Sequence, residues 1–168
     1  GENPHQHAAF YALPDAGGIA AAEQLHGKEL SYNNLVDTDA AWGMAVELDA
    51  PCVAIIKHTN PAGFATADDV ESAYVRALEG DPVSAFGGIV AANRTLDAAT
   101  AARITEVFTE VVIAPGYDDD ALELLRGRKN LRILQAPHAE RPGPSRQLRS
   151  IAGGVLLQDA DGAEEPWE

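Results

Sequence analysis

The sequence has few of the residues that build covalently linked or metal-linked cores. It contains one cysteine, Cys52, among 168 residues, which excludes an internal disulfide and a multi-cysteine zinc site. A lone thiol suits a reducing compartment, so we expect a cytoplasmic location. Aromatic residues make up only 6% of the chain, and alanine supplies much of its 46% hydrophobic content. No apolar run approaches the roughly 20 residues of a membrane-spanning helix, and we expect no membrane partner.

Positive charge is also scarce, with 12 Lys and Arg against 26 Asp and Glu and a formal net charge of -14. This balance argues against long-range attraction to nucleic acid or to an anionic membrane. A phosphorylated substrate would have to be held by local cations or backbone N–H groups. The later third of the chain is locally basic, which suits an anionic ligand, a partner or simple solubility, through Arg126, Arg128, Arg132, Arg141, Arg146 and Arg149.

Short apolar runs alternate with helical patterns, which predicts an α/β domain. Strands are predicted over 53–56, AFGGIVAAN (85–93), EVVIAP (110–115), LRILQAP (131–137) and LRSIAGGVLLQD (148–159). A first helix is predicted over about 38–48, with Asp37 as its cap. A second follows a Thr66–Asp69 capping box and ends at about Leu78. Two more are predicted from Asp97 to about Phe108 and over DDDALELLRGR (118–128). A proline-rich loop is predicted for HAERPGPSRQ (138–147). We therefore expect a three-layer architecture, a mixed, largely parallel sheet with helices on both faces.

The segment VAIIKHTNPAGF (53–64) passes from a buried-strand pattern directly into a lysine and a histidine. We expect Lys57 and His58 at the carboxyl end of a strand, where open α/β sheets bind ligands. Histidine is well suited to carry protons at neutral pH, and a neighbouring ammonium disfavours the imidazolium and stabilises a developing oxyanion. On position alone, a strand end that exposes two polar residues explains the pair equally well. Asn60-Pro61 and Gly63 predict a rigid turn after the pair, which favours function because catalytic side chains need rigid supports.

Two further motifs have an open interpretation. In SAFGG (84–88), the paired glycines indicate a bulge, a close backbone approach to a ligand, or a site where a helix crosses the strand. Phe86 in that motif suits stacking on a flat ring, although phenylalanine is more often part of a core. Glu110 precedes an apolar strand, where it would accept hydrogen bonds from an amide or hydroxyl, or lie solvated at the strand end.

Six motifs in order resemble the first part of the transformylase region of the bifunctional AICAR transformylase/IMP cyclohydrolase family. They are GENPHQ…AAFY, LSYNNLVDTDAAW, KHTNPAG, SAFGGI, EVVIAP and LRSIAGGVLLQD. The resemblance covers nearly the whole chain and is weakest around residues 12–28 and 137–147. Six ordered motifs form a far more specific signal than any single short pattern.

The resemblance implies a phosphoribosylaminoimidazolecarboxamide formyltransferase of purine nucleotide biosynthesis. The 5-amino group of AICAR attacks the formyl group of the cosubstrate 10-formyltetrahydrofolate, giving formyl-AICAR and tetrahydrofolate. By resemblance, His58 accepts the proton of the amine and Lys57 stabilises the transition state. Gly87 and Glu110 contact AICAR together with His58, and Phe86 lines the folate pocket.

The resemblance also implies a fold and an assembly. Residues 1–168 would be the first cytidine-deaminase-like subdomain of the transformylase region, without zinc and with no metal needed for catalysis. The family's cyclohydrolase domain, its second transformylase subdomain and an Arg-Tyr pair before GENPHQ are not in this sequence. The family active site forms at a homodimer interface. We therefore expect a fragment that is inactive alone and that self-associates through apolar surface.

Two other functions stay open at this point. The chain can be a non-catalytic nucleotide-binding or scaffold module with the same fold. A deaminase-like hydrolase is disfavoured, because the sequence has no H-x-E motif and one cysteine cannot form P-C-x-x-C.

Overall fold

The computed structural model describes residues 1–13, 17–136 and 146–161, which form a six-stranded sheet with helices and a separate hairpin. The strands are β1 (Glu23–His26), β2 (Cys52–Lys57), β3 (Asn60–Thr66), β4 (Gly88–Ala92), β5 (Thr109–Ala114), β6 (Arg132–Gln135), β7 (Arg146–Ile151) and β8 (Gly154–Asp159). The helices are α1 (Tyr32–Ala45), α2 (Val70–Gly80), α3 (Pro82–Ala85), α4 (Ala98–Glu106) and α5 (Asp119–Arg126), after a short 3₁₀ helix at Gly18–Ala21. Within the described residues, every helix is too short or too polar to cross a lipid bilayer.

The main sheet is mixed, in the order β1-β6-β5-β4-β2-β3. β4, β5 and β6 are parallel neighbours, whereas β2 is antiparallel to both β3 and β4, and β1 is antiparallel to β6. Four strands, β3 to β6, thus run in one direction and two in the other. The predicted mixed α/β sheet is confirmed, and β1 and β3 are strands that the sequence patterns did not indicate.

Helices cover both faces of this sheet, which confirms the three-layer prediction. On one face α1 buries Trp42 and small alanines against β2, β4 and β5. On the other face α2, α4 and α5 cover a second cluster that includes Tyr74, Ile104 and Leu125. Many of the buried residues are alanine, valine or isoleucine, so the layers are filled by small and β-branched side chains, in line with the few aromatics of the sequence.

Helix α1 begins six residues before the predicted start near residue 38. Ser31 is its N-cap, and its hydroxyl accepts the N–H of Asn34 at 3.1 Å while the Asn34 side chain accepts the N–H of Ser31. This is a capping box with asparagine in the place of glutamate. Asp37, predicted as the cap, therefore lies inside the helix, and its carboxylate is available for another partner.

The predicted rigid turn at Asn60-Pro61 and Gly63 is wrong, because these residues belong to β3. β3 is an edge strand, where a proline without an N–H is tolerated, and the register shifts beside Pro61. The following helix also differs from its prediction. Asp69, not Thr66, is the N-cap of α2, and its carboxylate accepts the N–H of Ser72 at 2.7 Å.

The segment LRSIAGGVLLQD, predicted as one strand, is most of a hairpin of two strands, β7 and β8. Gly153 has φ of +78°, which allows the tight reversal between them. Every residue of both strands is exposed. The predicted proline-rich loop lies largely outside the described residues, since 137–145 are not among them.

The prediction that Asp97 caps a helix is confirmed: its carboxylate accepts the Thr100 N–H at 2.8 Å, and this bond holds the pKa of Asp97 below its usual value.

Gly63 allows β3 to approach α2 closely, since a Cβ placed there would lie 1.7 Å from the carbonyl oxygen of Ala77. We therefore expect Gly63→Ala to lower the free energy of unfolding by about 1–3 kcal/mol, through overpacking against a backbone atom that cannot rotate away. Gly43→Ala is the matched control, because open space surrounds Gly43 in α1 and alanine is the better helix former.

Urea unfolding followed by circular dichroism measures both variants. The control should gain up to about 1 kcal/mol. Equal stability of Gly63→Ala and the wild-type chain would contradict the close approach of β3 and α2.

Candidate functional site

His58 and Thr59 form the two-residue connection between β2 and β3, with Lys57 paired to Asn60 at its base. Both connecting residues have positive φ, 52° for His58 and 60° for Thr59. Two-residue hairpins of type I′ require this combination and usually meet it with Asn-Gly. Histidine and β-branched threonine do not favour the left-handed region, at a cost of about 1–2 kcal/mol per residue. The turn thus stores strain where the sequence places its candidate proton acceptor.

Three hydrogen bonds hold the strained turn. The N–H of Thr59 donates to Asp37 Oδ1 at 2.8 Å, which ties the turn to α1. The Asn60 side-chain amide and the Thr59 hydroxyl both donate to the carbonyl oxygen of His58, each at 2.7 Å. The backbone on both sides of the imidazole is therefore held, while His58 itself is exposed at the tip of the turn.

Lys57 connects the turn to the segment before β4. Its Nζ donates to the carbonyl oxygen of Phe86 at 2.7 Å. The next residue, Gly87, has φ of +76° and donates its N–H to the carbonyl oxygen of Phe108 at 2.7 Å. Gly87 lies before the start of β4, so the predicted strand AFGGIVAAN begins only at Gly88. The positive φ explains why a glycine is present at this corner.

Phe86 is 59% exposed, and its ring lies 5.2 Å from that of Phe108 at an interplanar angle of 48°. Phe108 is itself 49% exposed. Phe86 is therefore not a core residue, and its exposed ring is free to stack on a flat ligand. Two adjacent exposed aromatic rings offer a planar ligand an apolar contact.

Glu110 lies at a register shift near the start of β5, where Gly88 pairs with Thr109 and Ile89 pairs with Val111. Its Oε2 accepts a hydrogen bond from the Asn34 side-chain amide at 2.9 Å. Arg132 on β6 places a guanidinium nitrogen 3.5 Å from the same oxygen, with only 14% of the Arg132 side chain exposed. The carboxylate is therefore partly shielded and charge-compensated, which differs from a solvated strand end.

These residues lie together at one edge of the sheet, the edge formed by the end of β2 and the starts of β4 and β5. β2 is antiparallel to β4, with Ile56 paired to Ile89, so the end of β2 lies beside the starts of β4 and β5. Lys57 and His58 lie at the carboxyl end of their own strand, β2, as expected. Because β2 is antiparallel to β4, this edge is the amino end of the parallel strands β4 and β5.

The hydrogen bond from Lys57 to the Phe86 carbonyl brings the turn that carries His58 close to Phe86 and Gly87. Glu110, near the start of β5, lies at the same edge. Sequence reasoning missed the two residues of α1 that reach this edge, Asn34 and Asp37, and the ion pair of Glu110 with Arg132. The sequence gives only indirect signals for these contacts. Arg132 is one of six arginines in the locally basic later third, and Asp37 has the pattern of a helix cap.

Other reactive groups lie away from this edge. Cys52 is buried in β2, and burial raises the pKa of its thiol to about 11, so it carries no thiolate at neutral pH. Burial also raises the pKa of Tyr117, whose hydroxyl donates to the carbonyl of Leu134 at 2.7 Å. In the part of the chain that the structure describes, no group of three or more His, Cys, Asp or Glu side chains is arranged to hold a metal ion.

The arrangement can perform acid–base chemistry on a planar, polar ligand. An exposed imidazole can take a proton, and an ammonium one residue away can stabilise negative charge that develops on an oxygen. The exposed rings of Phe86 and Phe108 supply an apolar wall, and the Glu110 carboxylate supplies an acceptor.

Comparison with known proteins gives a consistent result. A family model described as "AICARFT/IMPCHase bienzyme" matches residues 1–168. The chain is 51% identical over 163 residues to the bifunctional purine biosynthesis protein PurH of Bacillus mycoides (strain KBAB4) and to that of Bacillus cereus (strain ATCC 14579). It is 50% identical over 163 residues to PurH of Bacillus thuringiensis (strain Al Hakam). Each comparison covers 96% of this chain and 32% of the relative, so the chain spans about a third of the length of these curated relatives.

Proposed function

Since the chain belongs to the AICARFT/IMPCHase bienzyme family, we propose that it supplies part of a formyl-transfer site of purine nucleotide biosynthesis. The substrates are AICAR and 10-formyltetrahydrofolate, and the products are formyl-AICAR and tetrahydrofolate. The observation that carries the proposal is the Lys57–His58 pair, held on a braced turn beside Phe86, Gly87 and the Glu110 carboxylate. We assign the IMP cyclohydrolase activity to the parent protein, outside this chain, and the reaction to the cytoplasm.

The chemistry explains why a lysine and a histidine are needed together. An aromatic amine is a weak nucleophile, and it must lose a proton as its nitrogen forms a bond to the formyl carbon. His58 takes that proton, and the Lys57 ammonium stabilises the negative charge that builds on the formyl oxygen. When the carbon–nitrogen bond to the folate breaks, its electron pair returns to the folate nitrogen, which takes up a proton. The mechanism assigns the stabilising cation to Lys57 and uses no metal.

The proposed contacts with AICAR and the folate use protein atoms that are accessible at this edge. Hydrogen bonds among the described residues reach Glu110 at Oε2, which leaves Oε1 to accept an N–H of AICAR. Gly87 is partly exposed, and because it has no Cβ a flat heterocycle can approach its backbone closely. The Phe86 ring suits the pterin or the aminobenzoyl part of the folate, because exposed aromatic faces stack on planar rings.

We further propose that this chain holds half a site, binding the nucleotide without turning it over. The supporting observation is its coverage of only 32% of the relatives. The same observation favours a second function, in which the chain is a nucleotide-binding module that takes part in no catalysis. Both functions require that the chain binds the nucleotide, so binding is tested first.

Titration calorimetry of the chain with AICAR tests the assignment of the site. We expect His58→Ala to weaken AICAR binding about tenfold, the effect of losing one hydrogen bond. Lys57→Met should weaken it as well, because the bond from Lys57 Nζ to the Phe86 carbonyl holds the segment that carries Gly87. Lys129→Met is the matched control, because Lys129 is exposed near the end of α5, in a different part of the fold. It removes the same charge from the chain and should leave the affinity unchanged.

Equal weakening in all three variants would mean that net charge, not the turn, holds the nucleotide. No binding to the wild-type chain would contradict the proposal that this chain holds the nucleotide. Urea unfolding of each variant shows whether the fold is retained.

We also propose that the chain associates with a second copy of itself through the β7–β8 hairpin. One face of this hairpin carries three apolar side chains, Leu148, Val155 and Leu157, which are 72%, 61% and 55% exposed. The opposite face carries two further exposed apolar side chains, Ile151 and Leu156. Apolar side chains in water raise the free energy of the chain, and covering them lowers it. A homodimer would also supply residues that half a site lacks.

Sedimentation equilibrium measures this association. We expect species above the monomer mass of 17.7 kDa at high concentration, and a shift toward monomer in the Leu148→Ser/Leu157→Ser double variant. Gln147→Ser lies on the opposite face of the same strand and should behave as the wild type. A wild-type chain that stays monomeric at high concentration would contradict the proposal.

A further inference from the structure

The turn that carries His58 is held in part by a residue outside it. Two of its three hydrogen bonds are internal, since the Thr59 hydroxyl and the Asn60 amide both donate to the carbonyl oxygen of His58. Internal bonds stabilise the shape of the turn, and the Lys57–Asn60 pair joins its base to the sheet, but neither joins the turn to the helix layer. The remaining bond, from the N–H of Thr59 to Asp37 Oδ1 at 2.8 Å, joins the turn to α1.

Asp37 is a firm anchor because of where it lies on α1. Thr38 beside it is fully buried, and Asn34, one turn earlier, is 5% exposed and bonded to Glu110. Ala41 and Trp42, one turn later, are buried in the core. The backbone of α1 at Asp37 is therefore fixed by packing on both sides. A carboxylate on such a backbone accepts an N–H more strongly than a neutral group does.

From this geometry we infer that Asp37 is a positioning residue for His58, an inference that rests on the formyl transfer proposed above. Its carboxylate holds the N–H of Thr59 and so fixes the turn, and the imidazole that it carries, against α1. Without this bond, the turn keeps the left-handed conformation that a two-residue hairpin requires, but it loses its hydrogen bond to α1, and His58 loses its fixed orientation. Asp37 touches neither substrate in this account.

Three variants of the chain test the inference. Asp37→Ala removes the acceptor, and Asp37→Asn keeps an acceptor oxygen but removes the charge. Asp39→Ala is the matched control, an aspartate to alanine change at an exposed position of the same helix. The first readout is hydrogen exchange of the Thr59 amide by NMR, which does not depend on function. Exchange should accelerate about 10- to 100-fold in Asp37→Ala, the effect of losing a bond to a charged acceptor, and less in Asp37→Asn.

The second readout is AICAR affinity by calorimetry. We expect a loss of about tenfold in Asp37→Ala, recovery to near the wild-type value in Asp37→Asn, and no change in Asp39→Ala. The midpoint of urea unfolding should be similar in Asp37→Ala and Asp39→Ala, which separates positioning from a general loss of stability.

Two outcomes would overturn the inference. One is Thr59 exchange that is unchanged in Asp37→Ala. The other is accelerated exchange together with unchanged AICAR affinity, which would make the bond structural only. If the wild-type chain binds no AICAR, the proposed function fails on its own, and the exchange data still decide whether Asp37 holds the turn.

Discussion

The direction of β2 is the constraint on which the candidate site depends. β2 lies between β3 and β4 and is antiparallel to both. Its last residue therefore ends beside the first residues of β4 and β5, at the edge where Gly87 and Glu110 lie. If β2 ran parallel to β4, Lys57 would lie at the opposite edge of the sheet. The direction of this one strand thus brings Lys57 close to Gly87 and Glu110, which lie 30 and 53 positions later in the sequence.

Helix α1 connects this edge to the core. Its buried residues pack on β2, β4 and β5, while its first turns carry two polar side chains that point to the site. Asn34 reaches Glu110, and Asp37 reaches the backbone of Thr59. The same helix therefore stabilises the sheet and braces two separate loops, so that the cost of the left-handed turn is offset by packing and by a charge-assisted hydrogen bond.

Sequence patterns predict the strands that are buried along most of their length and the helix that has a local cap. The buried strands around Ile55, Ile89 and Ile113 and the helix capped by Asp97 follow from local composition. β3 was missed because a proline and a glycine signal a turn, and only its edge position and its contact with α2 make it a strand. The Asp37–Thr59 bond joins residues 22 apart and leaves no local signature. The motifs located Lys57 and His58, but the direction in which they face depends on strand pairing.

We propose that a nucleotide contacts the edge formed by the end of β2 and the starts of β4 and β5. Titration of the ¹⁵N-labelled chain with AICAR, followed by amide chemical shifts, tests this contact directly. We expect the largest shifts on residues 57–60, 86–88 and 110. Shifts concentrated instead at the cavity between the end of α4 and the loop before β6, lined by Thr105, Arg128 and Asn130, would contradict it.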